Sequence, residues 1–139
     1  DLLHVLYLAA QKGVGVLGQL TRTTTTGTDN VTARVGVPWE ELLADWWAAV
    51  YLDGQDGVAS RLTYPGLDLR EFLANDFALN PEALGSADFT RSGSLWSSSV
   101  QYYIVVPTWQ GSVTLRLGGE AGGASPSGAV LRMRVIRLD

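Results

Sequence analysis

The chain has 139 residues, enough for one ordinary domain, and 46% apolar against 17% charged residues places it with globular rather than disordered sequences. A net charge of −4, with Lys12 the only lysine and the arginines scattered singly, lacks the basic stripe that a nucleic-acid backbone requires. The absence of cysteine rules out disulfides, thiol nucleophiles and Cys-ligated zinc, and no apolar run approaches the roughly 18 residues of a bilayer span.

Residues 1–12, DLLHVLYLAAQK, contain no Gly or Pro, and Leu2, Leu3, Val5, Leu6, Leu8, Ala9 and Ala10 cover nearly every direction around a helix. A helix that is apolar all round is normally buried, so this start predicts a preceding domain that covers the side the rest of the chain cannot reach. No basic n-region or small-residue cleavage pattern marks the first residues as a signal peptide. Gly13, Gly15 and Gly18 interrupt the helix, and Val14, Val16, Leu17 and Leu20 predict a short second one that ends before the β-branched run Thr23 to Thr26. Thr28 or Asp29 is expected to cap a brief third helix through Val35, closed by Gly36.

Pro38 to Leu52 carries the strongest helical signal. Proline stands at the first position, Glu40 and Glu41 lie in the first turn, and Leu42, Leu43, Trp46, Trp47, Val50 and Tyr51 recur at helical spacing. Asp53 to Gly57 stops it, and in the mixed connector that follows only Leu69 to Leu73 has helical character. From Ser97 the period becomes two, predicting strands over 97–106, 112–117 and 129–138, with the Gly/Ser-rich 118–128 as a hairpin loop. The expected fold class is therefore α+β: a small helical bundle over 1–57, a mixed connector over 58–92, and an antiparallel β-sheet or small β-sandwich over 93–139.

Chemistry-bearing motifs are sparse. Gly13-Val-Gly-Val-Leu-Gly18 matches G-x-G-x-x-G, but a pyrophosphate cradle needs a strand before it, and a helix is expected there. His4 is the only histidine, so no second imidazole can complete a zinc site or support a triad; on an apolar helix it reads as a packing residue. No catalytic residue and no metal ligand is assigned. Asp53 and Asp56 form a candidate cation loop of hard oxygen ligands, although their spacing departs from the calcium-loop pattern. Trp96, Tyr102, Tyr103 and Trp109 are candidate ligand-binding aromatics able to stack on sugars or peptides, with alternation sending one ring of the Tyr102–Tyr103 pair inward.

The stretches Tyr7-Leu-Ala-Ala-Gln-Lys-Gly13, Val16-Leu-Gly-Gln-Leu20 and Asn30-Val-Thr-Ala-Arg-Val-Gly-Val-Pro-Trp-Glu-Glu-Leu-Leu-Ala-Asp-Trp46 resemble the region after the zinc site of gluzincin-type metallopeptidases. With the tail Leu131-Arg-Met-Arg-Val-Ile-Arg-Leu138, the chain is similar to the hyicolysin-like family of bacterial exported metallopeptidases. The resemblance covers residues 2 to 53 and, loosely, the tail. It implies a secreted zinc peptidase as the parent protein, with the H-E-x-x-H helix upstream of Asp1 and matched by nothing here, so no catalytic residue carries over. Zinc would belong to the parent, not to this chain.

Two functions are thus expected. In the first, the chain is the non-catalytic C-terminal portion of an extracellular or cell-surface bacterial peptidase, supporting an N-terminal catalytic domain of the same polypeptide, with the exposed face of the first helix also able to form a dimer. The alternative is a cell-surface module that binds carbohydrate or protein through the aromatics of its β half.

Overall fold

The computed structural model describes residues 2–73, 79, 81–84, 90–91, 93–105, 114–116 and 131–138, which form a mixed structure of helix and strand, mostly helical. Helix α1 spans Leu2–Lys12 and stops at Gly13, whose φ of +81° only glycine adopts without strain. The short α2, Gly15–Thr21, follows at once. Helix α3, Gly27–Val35, begins earlier than a cap at Thr28 or Asp29 would place it, because the extended Thr26 precedes its first turn and Asp29 lies inside that turn, near the positive end of the helix. Gly36 closes α3 in the left-handed region, at φ +72°, and donates its N–H to the Thr32 carbonyl at 2.9 Å.

Helix α4, Trp39–Leu52, is the centre of the fold. Pro38 stands just outside it rather than at its first turn, and its carbonyl accepts the N–H groups of Glu41 and Leu42. The helix can be almost wholly apolar because two clusters use different sides of it. Leu42, Trp46, Ala49 and Val50 meet Tyr7 and Leu8 of α1, Val16 of α2, Val35 of α3, and Tyr64 and Leu69 from the connector. Ala48 and Leu52 meet Leu62 in a smaller cluster that Tyr51, Val58 and Ile136 flank. A 3₁₀ turn at Ser60–Leu62 and helix α5, Leu69–Leu73, complete the helical part. Among the described residues no helix is long and apolar enough to cross a membrane.

The β half departs from expectation. Strand β1, Glu82–Leu84, pairs with β2, Tyr103–Val105, in parallel, with Glu82 opposite Tyr103, Ala83 opposite Ile104 and Leu84 opposite Val105. Among the described residues the sheet is a two-stranded parallel pair, and the expected antiparallel sheet or sandwich is not supported. Alternation identifies residues that fit a pleat but not the direction of their partner, and the long 85–102 connection supplies the crossover that parallel pairing requires. Residues 97 and 98 form a turn rather than the start of a strand. Residues 114–116 and 131–138 join no sheet among the described residues, and the expected hairpin loop 118–128 lies outside them.

The period of two over 131–138 has a different physical origin. This segment lies along α4, where Arg132 pairs with Glu40 at 3.6 Å, Arg134 pairs with Asp45, and Ile136 packs on the Ala48/Leu52/Leu62 cluster. Leu131, Met133 and Val135 face outward and are exposed. Arg132, Arg134 and Ile136 are thus turned towards α4, which carries two carboxylates and part of the smaller cluster on that side.

Candidate functional site

Asp53, at the end of α4, is 3% exposed. Its Oδ1 accepts the backbone N–H of Tyr64 at 2.7 Å and its Oδ2 that of Leu69 at 2.6 Å. Arg70 closes the same junction, donating from Nε to the Asp53 carbonyl and from Nη2 to the Tyr51 carbonyl, two acceptors left over at the helix end, while its guanidinium lies 5.8 Å from the Tyr51 ring centre. The two residues of the candidate cation loop are placed differently. Asp53 turns its carboxylate into the protein to hold two buried amides, whereas Asp56 is exposed on the turn beyond. Among the described residues no group of three or more His, Asp or Glu side chains could hold a metal ion.

The aromatic candidates separate. Tyr102 is half-buried; its ring packs 5.3 Å from that of Tyr51 and its hydroxyl donates to the Trp47 carbonyl at 2.6 Å. Tyr103, next along β2, is exposed, so the adjacent pair divides between inside and outside. Trp96 is 86% exposed. It sits on a turn in which its carbonyl accepts both the N–H and the hydroxyl of Ser99, Ser98 adopts a left-handed φ of 59°, and Trp47 Nε1 donates to the Ser98 carbonyl at 3.2 Å. Trp109 lies outside the described residues. Trp96 and Tyr103 make no ring contact with each other or with another aromatic among the described residues, and Tyr102 serves packing.

A different aromatic group forms where α1 crosses α4. His4 stacks on Trp46 with ring centres 4.7 Å apart and planes inclined by 23°, and lies 5.4 Å from Trp39. Trp46 Nε1 donates to the Tyr64 hydroxyl at 2.9 Å, which donates in turn to the Leu3 carbonyl at 3.2 Å. Tyr7 donates to the Arg61 carbonyl, and Gln11 Nε2 donates to the carbonyls of Ser60 and Thr63, so three turns of α1 are tied to the 60–64 segment. Burial drives the Tyr7, Tyr64 and Tyr102 hydroxyls above the usual phenolic range, which keeps all three protonated as donors. The sequence showed His4 as a packing residue and Trp46 as part of a helical repeat; contacts between positions this far apart, up to 61 for Leu3 and Tyr64, have no local signature.

Burial also lowers the pKa of His4 from its usual 6.5. Its Nε2 is buried and has no hydrogen-bond partner among the described residues. The neutral ring is thus the native form and the unfolded chain binds the proton more readily. Stability is present above the unfolded value and is lost as pH falls through about 6.5 towards the lower folded value. His4→Phe keeps a stacked ring and removes the proton site, so its urea midpoint is expected to change less than the wild type's between pH 7.5 and 5.5; parallel curves would show that His4 titrates freely.

Asn30-Val-Thr32 has the N-x-[ST] form of a glycosylation acceptor, but its asparagine is 8% exposed, with Nδ2 donating to the Leu20 carbonyl at 2.9 Å, so it ties α3 to the end of α2. Comparison of the chain with protein-family models, with curated proteins and with solved structures finds no match.

Proposed function

We propose that the chain is the non-catalytic, C-terminal support of an extracellular or cell-surface bacterial zinc peptidase-like protein, docking through the outer face of α1 onto the catalytic domain of the same polypeptide. The observation that carries this reading is the unequal covering of α1. Tyr7 and Leu8 are buried and Leu3 is bonded to Tyr64, yet Leu2 is 64% and Val5 42% exposed, one helical turn apart on the same side. The catalytic domain is taken as the occupant of that face on the resemblance of residues 2 to 53 to the segment behind a gluzincin metal site. The support role fits a chain whose only histidine is stacked in a tryptophan contact and whose buried carboxylate holds backbone amides.

Leu2→Asp/Val5→Asp tests the reading against the polypeptide encoded immediately upstream, prepared as a separate domain. The double variant is expected to keep its thermal midpoint, because exposed substitutions shift stability by about 0.5 kcal/mol or less, and to lose at least tenfold in affinity for the upstream domain. Collapse of the fold would place both residues in the core. An upstream polypeptide that lacks H-E-x-x-H, or that binds the variant as well as the wild type, would overturn the proposal. Loss of self-association alone would assign the face to a homodimer and likewise count against it.

A further inference from the structure

We propose that residues 131–138 are a detachable strap whose seating on α4 is set by ionic strength, and that its release bares an acidic side of α4 while the helical core stays folded. Charge seats the strap. Arg132 reaches Glu40 at 3.6 Å and Arg134 reaches Asp45, with Ile136 as the apolar anchor on the Ala48/Leu52/Leu62 cluster. Every residue from Leu131 to Leu138 is exposed except Ile136, which is half-buried, so the segment lies on the surface. Ion pairs in such a position are weak and are screened by salt. Among the described residues, none of 131–138 enters the main core around Trp46 and Tyr64.

Release costs little on the side that is vacated. The Asp45 side chain is only 16% exposed, and a departing Arg134 would strand its charge if no other cation were near. Arg61 lies 3.6 Å from Oδ2 of the same carboxylate, so Asp45 keeps a partner. Glu40 is 47% exposed and hydrates when Arg132 leaves. Tyr51 and Val58 flank Ala48, Leu52 and Leu62 independently of Ile136, and the Ser60–Leu62 turn is held separately by Tyr7 and Gln11 of α1. The seat is therefore satisfied with the strap on or off, which is the condition for an element that opens locally without the rest. The connector differs: it cannot leave α4 without stranding the two amides that Asp53 accepts.

Limited trypsin digestion of the full chain reads the strap directly, because the protease cuts extended chain after arginine and the strap carries Arg132 and Arg134. When opening and closing outpace cleavage, the rate follows the open population. Raising sodium chloride from about 0.02 M to about 0.5 M shortens the screening length severalfold and is expected to speed cutting at these two arginines roughly tenfold, relative to a free peptide of the 131–138 sequence. The thermal midpoint of the helical part is expected to stay in place. Glu40→Gln/Asp45→Asn is expected to be cut in low salt at the rate the wild type reaches in high salt, and to lose its salt dependence. Glu40→Gln alone, at an exposed position, is expected to give an intermediate rate and carries the test if the double variant does not fold. Wild-type cutting that ignores salt, that accelerates only as the helices unfold, or that is unchanged in Glu40→Gln would overturn the proposal.

Discussion

Replacing Trp46 with alanine is expected to lower the unfolding free energy by about 3–5 kcal/mol, the range of large aromatic truncations in packed cores. The side chain is 5% exposed, and three contacts converge on it: the His4 ring on α1, the neighbouring Trp47 ring at 4.2 Å, and the Tyr64 hydroxyl. Truncation removes the apolar volume and also the donor to Tyr64, whose own bond to Leu3 ties down the start of α1. Trp46→Phe keeps an aromatic ring but loses the N–H with the five-membered ring, so it should cost about 1–2 kcal/mol for the lost hydrogen bond on top of its smaller volume change. Equilibrium urea denaturation separates the two variants; a loss below about 1 kcal/mol for the alanine form would remove Trp46 from the core.

Asp53→Ala is expected to be nearly as damaging, at about 3–5 kcal/mol, because it strands two buried backbone N–H groups at once and each is costly without an acceptor. The Tyr64 and Leu69 amides belong to the segment that carries Tyr64 and Leu69 themselves into the main core, so the carboxylate works as the clamp that folds the connector back onto α4. Asp53→Asn retains one acceptor oxygen and should recover about half of the loss. Amide exchange of Tyr64 and Leu69 provides the local reading: both protons should exchange orders of magnitude faster in the alanine variant while those of α3 change much less. Uniform acceleration throughout the chain would show that the clamp has no local role.

The helical half was legible because its signals are local. Uninterrupted helix formers up to Lys12, the glycine step at 13, Gly36 after Val35 and the Pro38–Glu41 start each act within a few residues, and the observed helices end close to these markers. The boundaries moved where two residues compete for one task, as at Thr26 against Thr28 and Asp29. Beyond residue 57 the determinants are distant. Nothing near Asp53 in sequence announces that its carboxylate will be used by residues 64 and 69, and nothing in Glu82–Leu84 announces Tyr103–Val105 as its partner. The alternation in the tail turns Arg132 and Arg134 to the carboxylates of α4, and among the described residues it joins no sheet. For the candidate site, sequence placed rings by residue type; geometry then assigned Tyr102 to packing and Trp96 to solvent.

The tail on α4 also bears on how this region tolerates change. An extended chain advances about 3.3 Å per residue and an α-helix about 1.5 Å, so one two-residue step of the tail keeps pace with four to five residues of α4. The five residues from Glu40 to Asp45 are such a stride, met by Arg132 and Arg134, and Ile136 then packs on the Ala48/Leu52/Leu62 cluster further along. Phase, more than the identity of any one outward-facing residue, is what this stretch must preserve. Losing or gaining a single codon between 132 and 136 would exchange the two faces, setting Met133 and Val135 against carboxylates and turning arginines away from them. Losing two codons would shorten the tail yet leave its alternation intact.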